Sequence, residues 1–276
     1  MTGAPAPAAV APPALVAVAH GSRDPRAAAT VDELLAAVRA RRPGWPVLAS
    51  YLDHAAPAPG QVLAALAAAG RAGAAGAWGG GGGAGGARRA AVVLPLLLTA
   101  AYHSKTDIPR VLSEVRHRHP RLALRYGATL GPHPLLVDAL ERRLAEAGTA
   151  IGDPATAVVL VAAGSSDPAA NGVIARLARC WQRRRGWYDV VPAYASAARP
   201  GPAAAVRALR AAGAPRVVVA SYFMAPGYFA DKVRAEALAA GADTVSPVLG
   251  AAPELADLVL RRYDEAVRDE RAAAAG

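Results

Sequence analysis

The sequence predicts an α/β fold made of two similar tandem domains, each a small doubly wound parallel β-sheet flanked by helices. Three observations carry this. Short apolar runs alternate with longer Ala/Leu/Arg stretches of helical period. The runs are apolar throughout rather than on alternate residues, as strands covered on both faces require. The whole alternation occurs twice. Leu15–Ala19 leads into His20-Gly21-Ser22-Arg23-Asp24-Pro25, and Val159–Ala162 leads into Ala163-Gly164-Ser165-Ser166-Asp167-Pro168, an offset of 143 residues that also pairs Tyr51 with Tyr194 and Pro57 with Pro200.

Later landmarks repeat at shorter offsets. Val92-Val93-Leu94 and Tyr102-His103 match Val217-Val218-Val219 and Tyr228-Phe229 at 126 residues, and Leu130-Gly131, Pro134, Asp138 and Arg142-Arg143 match Leu249-Gly250, Pro253, Asp257 and Arg261-Arg262 at 119. The first loss of register has its source in the glycine- and alanine-rich segment 70–86, which offers too little apolar surface to offset the cost of ordering a backbone and is expected to be a mobile surface loop. The expected division is a disordered tail over 1–13, an N-terminal domain over 14–150 with 70–86 as a loop insertion, and a C-terminal domain over 151–276.

In chain order, strands are predicted near 14–19, 46–52, 91–97 and 121–126, and again near 157–162, 189–194, 216–222 and 243–246. Helices are predicted over 25–41, 58–69, 107–118 and 134–147, and over 168–184, 201–212, 230–240 and 253–270. Asp24-Pro25 and Asp167-Pro168 each read as an Asp N-cap with proline at the first helical position. Because both halves keep the pair, those aspartates are assigned to the fold. Asp107, before Ile108-Pro109, reads as a third N-cap.

Composition bounds the function. A chain of 276 residues can bury two ordinary cores, and its 54% hydrophobic content is dominated by alanine. No run approaches the roughly 20 apolar residues of a membrane helix. The start lacks a basic region ahead of an apolar one, so it is read as a tail and not a signal peptide. One cysteine, Cys180, excludes an internal disulfide and suits a reducing cytoplasm. The net charge of +10 comes almost wholly from arginines spread over helices, with no basic run interleaved with aromatics, which argues against nucleic-acid binding. They are either solvated helix faces or a field that draws in an acidic small molecule. No Gly-Lys-Ser/Thr ending follows Gly79–Gly83, so the glycine run is not a phosphate loop.

All six histidines (His20, His54, His103, His117, His119, His133) lie in the first half. His20 follows the first predicted strand and His103 the third, and ligands of open parallel sheets bind beyond the carboxyl ends of strands. Their counterparts, Ala163 and Phe229, can neither bind a metal nor move a proton. Two neutral imidazoles at such a crevice suit a borderline divalent ion with open coordination positions, such as Fe(II), Co(II) or Ni(II). Asp53 and His54 follow the second strand, where the sister half has Ser196-Ala197. They either line the site or hold the loop together. His117 and His119 do not share a helical face and read as solvated groups near a helix end, and His133 reads as a loop residue.

Ala19-His20-Gly21-Ser22-Arg23-Asp24-Pro25, Tyr51-Leu52-Asp53, Val93–Leu98 running into Ala101-Tyr102-His103, Asp107-Ile108-Pro109 and Leu130-Gly131-Pro132 together resemble the class II chelatases of the sirohydrochlorin chelatase family, in the order of its long two-domain bacterial members. The resemblance implies a chelatase-like fold and insertion of a divalent metal (cobalt or iron) into sirohydrochlorin, toward sirohaem or cobalamin, with no tightly bound cofactor: the ion itself is the substrate. It places His20 and His103 on the family's two metal-handling histidines, which makes them the catalytic and metal residues. An imidazole titrating near pH ~6.5 can also take a proton leaving a pyrrole nitrogen. Ser22, Arg23, Asp53, His54 and Lys105 are the expected substrate-binding residues, with Arg23 equally readable as a surface arginine. Ala101 departs from the glycine usual before Tyr-His and brings a methyl group toward a flat ligand. Tyr222–Phe229, apolar and aromatic, either closes over the macrocycle or packs between the halves. A monomer whose two halves form an intramolecular pseudo-dimer is expected. A non-catalytic tetrapyrrole or metal carrier on the same fold is the alternative.

Overall fold

The computed structural model describes residues 12–71, 89–99 and 106–275. Most of the expected tail over 1–13 and of the glycine-rich loop, together with Ala101, His103 and Lys105, lies outside them. The elements run β1 (Ala14–Ala19), α1 (Pro25–Arg41), β2 (Val47–Tyr51), α2 (Pro59–Arg71), β3 (Ala90–Pro95), α3 (Ile108–Arg118), β4 (Ala123–Tyr126) and α4 (Pro134–Glu146). The second half follows with β5 (Thr156–Ala162), α5 (Pro168–Arg184), β6 (Asp189–Tyr194), α6 (Pro202–Ala211), β7 (Arg216–Ser221), α7 (Tyr228–Ala239), β8 (Thr244–Val245) and α8 (Pro253–Ala275). All sixteen expected elements are present within a few residues of their predicted ends.

Each half forms a four-stranded parallel sheet, ordered β2-β1-β3-β4 and β6-β5-β7-β8. The central strands β1 and β5 are buried along their entire length, which is why they read as unbroken apolar runs. Successive side chains of a strand point to opposite faces. On β1, Ala14, Val16 and Val18 pack outward against α2 and α3, while Leu15, Ala17 and Ala19 face inward. On β5 the outward set is Ala157, Val159 and Val161, against α6 and α7. The inward faces of both sheets share one apolar cluster with α1, α4, α5 and α8 between them. The molecule therefore has five layers: helices, sheet, helices, sheet, helices.

Within the middle layer the last helix of each half crosses to the other. Helix α8 packs on β3, β4 and α1 of the first half, and α4 packs on β7 of the second. The polar contacts obey the same pseudo-two-fold relation. Arg143 on α4 donates to the Leu249 carbonyl at 3.0 and 2.8 Å, and its counterpart Arg262 on α8 donates to the Leu130 carbonyl at 3.3 Å. Arg41 at the end of α1 pairs with Asp257 on α8 at 2.8 Å, and Arg184 at the end of α5 pairs with Asp138 on α4 at 2.8 Å. Arg42 and Arg185 repeat the theme against Asp264 and Glu141. Much of the arginine surplus is thus spent joining the halves. These contacts sit where helix C-terminal cations and carboxylates on the crossing helix meet.

Two caps differ from expectation. Asp107 has helical backbone angles and makes no side-chain bond to the first turn of α3, because residues 106 and 107 are already wound into a π-type turn leading into the helix. His133, expected in a loop, is the N-cap of α4: extended, with Nδ1 accepting from the Leu135 N–H at 3.1 Å.

Candidate functional site

Strand β1 ends at Ala19, and the next residue, His20, is exposed at the carboxyl edge of the sheet. Its carbonyl accepts from the Asp53 N–H at 3.0 Å, which ties it to the loop after β2. Gly21 follows at φ +92°, and a side chain there would collide with the Asp53 carbonyl oxygen, so glycine is required twice over. The Ser22 hydroxyl accepts from the Asp24 N–H at 3.0 Å, and Asp24 caps α1 through the Arg26 N–H at 3.0 Å.

The second half repeats this backbone step for step. Ala163 accepts from the Ser196 N–H at 2.9 Å, Gly164 sits at φ +86° against the Ser196 carbonyl, Ser165 accepts from the Asp167 N–H at 3.0 Å, and Asp167 caps α5 through the Ala169 N–H at 2.9 Å. The glycine, serine and aspartate of the motif therefore build the turn, and the imidazole is what one half adds to it. Arg23 is exposed at the same turn.

Asp53 and His54 are brought to the edge of the loop that holds His20. Both are exposed, with His54 Nε2 3.3 Å from Asp53 Oδ2 and Asp53 Oδ1 accepting from the His54 N–H at 2.8 Å. His54 adopts φ +57° and Ala197 in the sister half φ +56°, so the corner conformation belongs to the fold. Its side chain is free of that duty. His117 is exposed on α3 and His119 is its C-cap residue, the Val115 carbonyl accepting from its N–H. Both lie at the opposite end of the strands from His20. Among the described residues no three His, Cys, Asp or Glu side chains gather into a metal-holding cluster.

The aromatic stretch of the second half divides in two. Tyr222 and Phe223 are packed, with the Tyr222 hydroxyl donating to the Leu98 carbonyl of the first half at 3.0 Å and burial raising its pKa. Tyr228 and Phe229, which open α7, are 74% and 42% exposed and meet edge to face with ring centroids 5.5 Å apart.

Arg26 connects this aromatic corner to the histidine loop. Its guanidinium binds Asp24 at 2.6 Å and Asp231, on the first turn of α7, also at 2.6 Å. The hydrogen bond from Arg26 holds the Asp24 carboxyl below its ordinary range. Sequence reasoning passed over Arg26, although the duplication carried a signal: its counterpart is Ala169, so the arginine is confined to the half that has the histidines. A groove of about 480 Å³ opens at the corner after β6, lined by Ser196, Arg199, Lys232 and Glu236 among others, and among the described residues none of the expected site residues lines it.

The comparisons with known proteins agree with this architecture. SirB from Bacillus subtilis, solved with Fe3+, superposes with a TM-score of 0.76 over 94% of this chain and 97% of its own, at 23% identity. A sirohydrochlorin cobaltochelatase of Priestia megaterium is 31% identical over 138 residues, 49% of this chain and 45% of the relative. A sirohydrochlorin ferrochelatase of the same organism is 29% identical over 144 residues, 52% of this chain and 54% of the relative. The chain thus spans about half the length of the curated relatives it matches. The profile described as CbiX matches residues 14–74, 84–147 and 157–266, that is, both sheets with their helices, and the chain belongs to the CbiX family.

Proposed function

We propose that this protein is a sirohydrochlorin chelatase, inserting cobalt(II) or iron(II) into sirohydrochlorin with release of the two pyrrole protons. The observation that carries the reading is the asymmetry of the duplicated turn: one backbone, built twice, presents His20 at one sheet edge and Ala163 at the other. A fold requirement would have kept the same residue in both.

The roles follow from side-chain chemistry. His20 and His103 hold the incoming ion through neutral ring nitrogens, leaving coordination positions open for the macrocycle nitrogens. As the ion passes to the macrocycle, an imidazole nitrogen it has left takes one of the two departing pyrrole protons and water takes the other. The carboxylates of the tetrapyrrole meet the positive field of Arg23, Lys105 and the α1 N-terminus, with Ser22 as a hydrogen-bonding partner. Asp53 and His54 line the rim beside His20. Tyr228 and Phe229 give the apolar macrocycle an aromatic surface supplied by the other half. The protein acts as a monomer containing an intramolecular pseudo-dimer, in the cytoplasm, where its one cysteine stays reduced. Among the described residues no helix is long and apolar enough to cross a membrane.

The test mixes purified protein with sirohydrochlorin and Co(II) or Fe(II) and follows the absorbance change against the spontaneous rate. The native chain accelerates insertion, and replacing His20 and His103 together with alanine lowers the rate by about 10²-fold or more. A carrier would bind the tetrapyrrole without acceleration. An unaltered rate in the double variant would remove both histidines from the chemistry.

A further inference from the structure

The two copies of the histidine turn differ in one further respect. In the second half, Asn171, one turn into α5, folds back on the loop: its carboxamide oxygen accepts from the Ser165 N–H at 3.0 Å and its amide donates to the Ser165 carbonyl at 2.7 Å. The corresponding loop residue of the first half is Ser22, and the residue corresponding to Asn171 is Ala28. Ala28 sits at the same place on α1 with its methyl group half-buried against the shared core. Among the described residues nothing accepts from the Ser22 N–H, while the bond to the His20 carbonyl, the bond to the Ser22 hydroxyl and the Asp24 cap each have their match in the twin turn.

The second half thus shows where an sp² oxygen sits when it satisfies this N–H. The first half has the same N–H, next to His20, and a small residue in place of the group that would satisfy it. We infer that the space beside Ala28 receives one carboxylate oxygen of the tetrapyrrole on the Ser22 N–H, in the position that the Asn171 carboxamide oxygen occupies in the sister half, so that Ala28 is a specificity-determining residue through what it leaves open. This rests on the proposed substrate class. An amide–carboxylate hydrogen bond is charge-assisted, and the bond joins the positive end of α1, where an anion is favoured. In the half without histidines, the asparagine closes the equivalent position permanently.

The experiment introduces the sister residue. Ala28→Asn places in the first half the side chain that the second half already accommodates on the same backbone, and Ala28→Leu supplies similar bulk with no hydrogen-bonding group. Binding of sirohydrochlorin without metal is followed by absorbance or fluorescence quenching, and insertion kinetics give KM and kcat separately. Loss of one charge-assisted bond corresponds to a Kd raised on the order of tenfold to a hundredfold in Ala28→Asn. KM rises in step, kcat is little changed, and the effect in Ala28→Leu is smaller. Asn171→Ala leaves Kd unchanged.

Equal losses in the Asn and Leu variants would reduce Ala28 to a matter of bulk, and an unchanged Kd in Ala28→Asn would overturn the inference outright. A second measurement is independent of any variant's folding: the Ser22 amide resonance of the native protein shifts on titration with sirohydrochlorin, whereas the Ser165 amide does not. A Ser22 amide that stays fixed while the tetrapyrrole binds sinks the proposal and leaves the chelatase reading standing. A shifting Ser22 amide in a protein that fails to accelerate insertion supports this site and sinks the chelatase reading.

Discussion

His133 shows how a residue that reads as loop chemistry becomes a structural switch once its neighbours are in place. Its Nδ1 can cap α4 only while it carries no proton, because the bond requires an acceptor. Burial first, then the charges of Arg262 and Arg261, push its pKa below the ordinary 6.5. A folded-state value below the unfolded one places the cap's contribution fully above pH 6.5 and removes it as the pH falls through the lower folded value. Chemical denaturation between pH 8 and 5 is expected to show a loss of about 1 kcal/mol, the usual worth of an N-cap. His133→Asn, which caps without titrating, abolishes that component and leaves stability at pH 8 intact. An unchanged pH slope in the variant would show that the imidazole is not the titrating cap. The sequence showed His133 between two prolines and gave no way to see that a ring nitrogen could replace the usual Ser, Thr, Asn or Asp. It did show Asp24 and Asp167, where the side chain is a common cap and proline marks the first helical position. The same surface features misread Asp107, since a π-type turn ahead of α3 lies outside any pattern of caps and periodicity.

At the scale of elements the hydrophobic patterns located every strand and helix, because buried strands and amphipathic helices impose different periods on the chain. What periodicity cannot convey is which sheet a helix covers. The apolar face of α4 looks the same whether it lies on its own sheet or on the other, and so does that of α8, so the exchange of last helices was invisible until the contacts were seen. The joint depends on a few buried polar groups. Glu141 on α4 accepts from the Trp181 indole N–H of α5 at 2.9 Å and from Arg185 at 2.8 and 2.6 Å. Burial by itself would raise this carboxyl, yet the hydrogen bonds from Arg185 and Trp181 outweigh it and hold the pKa below the ordinary 4.5. The carboxylate's contribution is therefore fully present above pH 4.5 and lost as the pH falls through the lower folded value. Glu141→Ala strands the indole N–H of a buried tryptophan and one face of a guanidinium, and is expected to cost about 2–4 kcal/mol at pH 7. Measured by urea unfolding, that difference shrinks below pH 4. A cost under about 0.5 kcal/mol would mean that water or another side chain takes over both donors.

For the molecule as a whole, the duplication separates two demands on one architecture. The turn after β1 and the turn after β5 share their glycine, serine, aspartate and proline because both must pass from strand to helix, and only one carries an imidazole, the difference on which the proposed chemistry rests. The apolar middle layer has the opposite character. It belongs to neither half, since residues of β1, β3, α1 and α4 join those of β5, β7, α5 and α8 in a single cluster, and each sheet depends on a helix from the other repeat to cover its inner face. Unfolding either half alone would strip α8 from the first sheet or α4 from the second and expose the surviving sheet's inner face to water, together with the carbonyls that Arg143 and Arg262 satisfy. A chain of two repeats ordinarily unfolds in separable steps. Here the exchange of helices couples them, and calorimetry is expected to show one transition whose van't Hoff and calorimetric enthalpies agree, at about 150–200 kcal/mol for a chain of this size near 60 °C. Glu141→Ala, placed in the joint, should lower that single midpoint without splitting it. Two resolved transitions in the native chain, each carrying roughly half the heat, would show that the shared layer is too weakly packed to bind the halves into one cooperative unit.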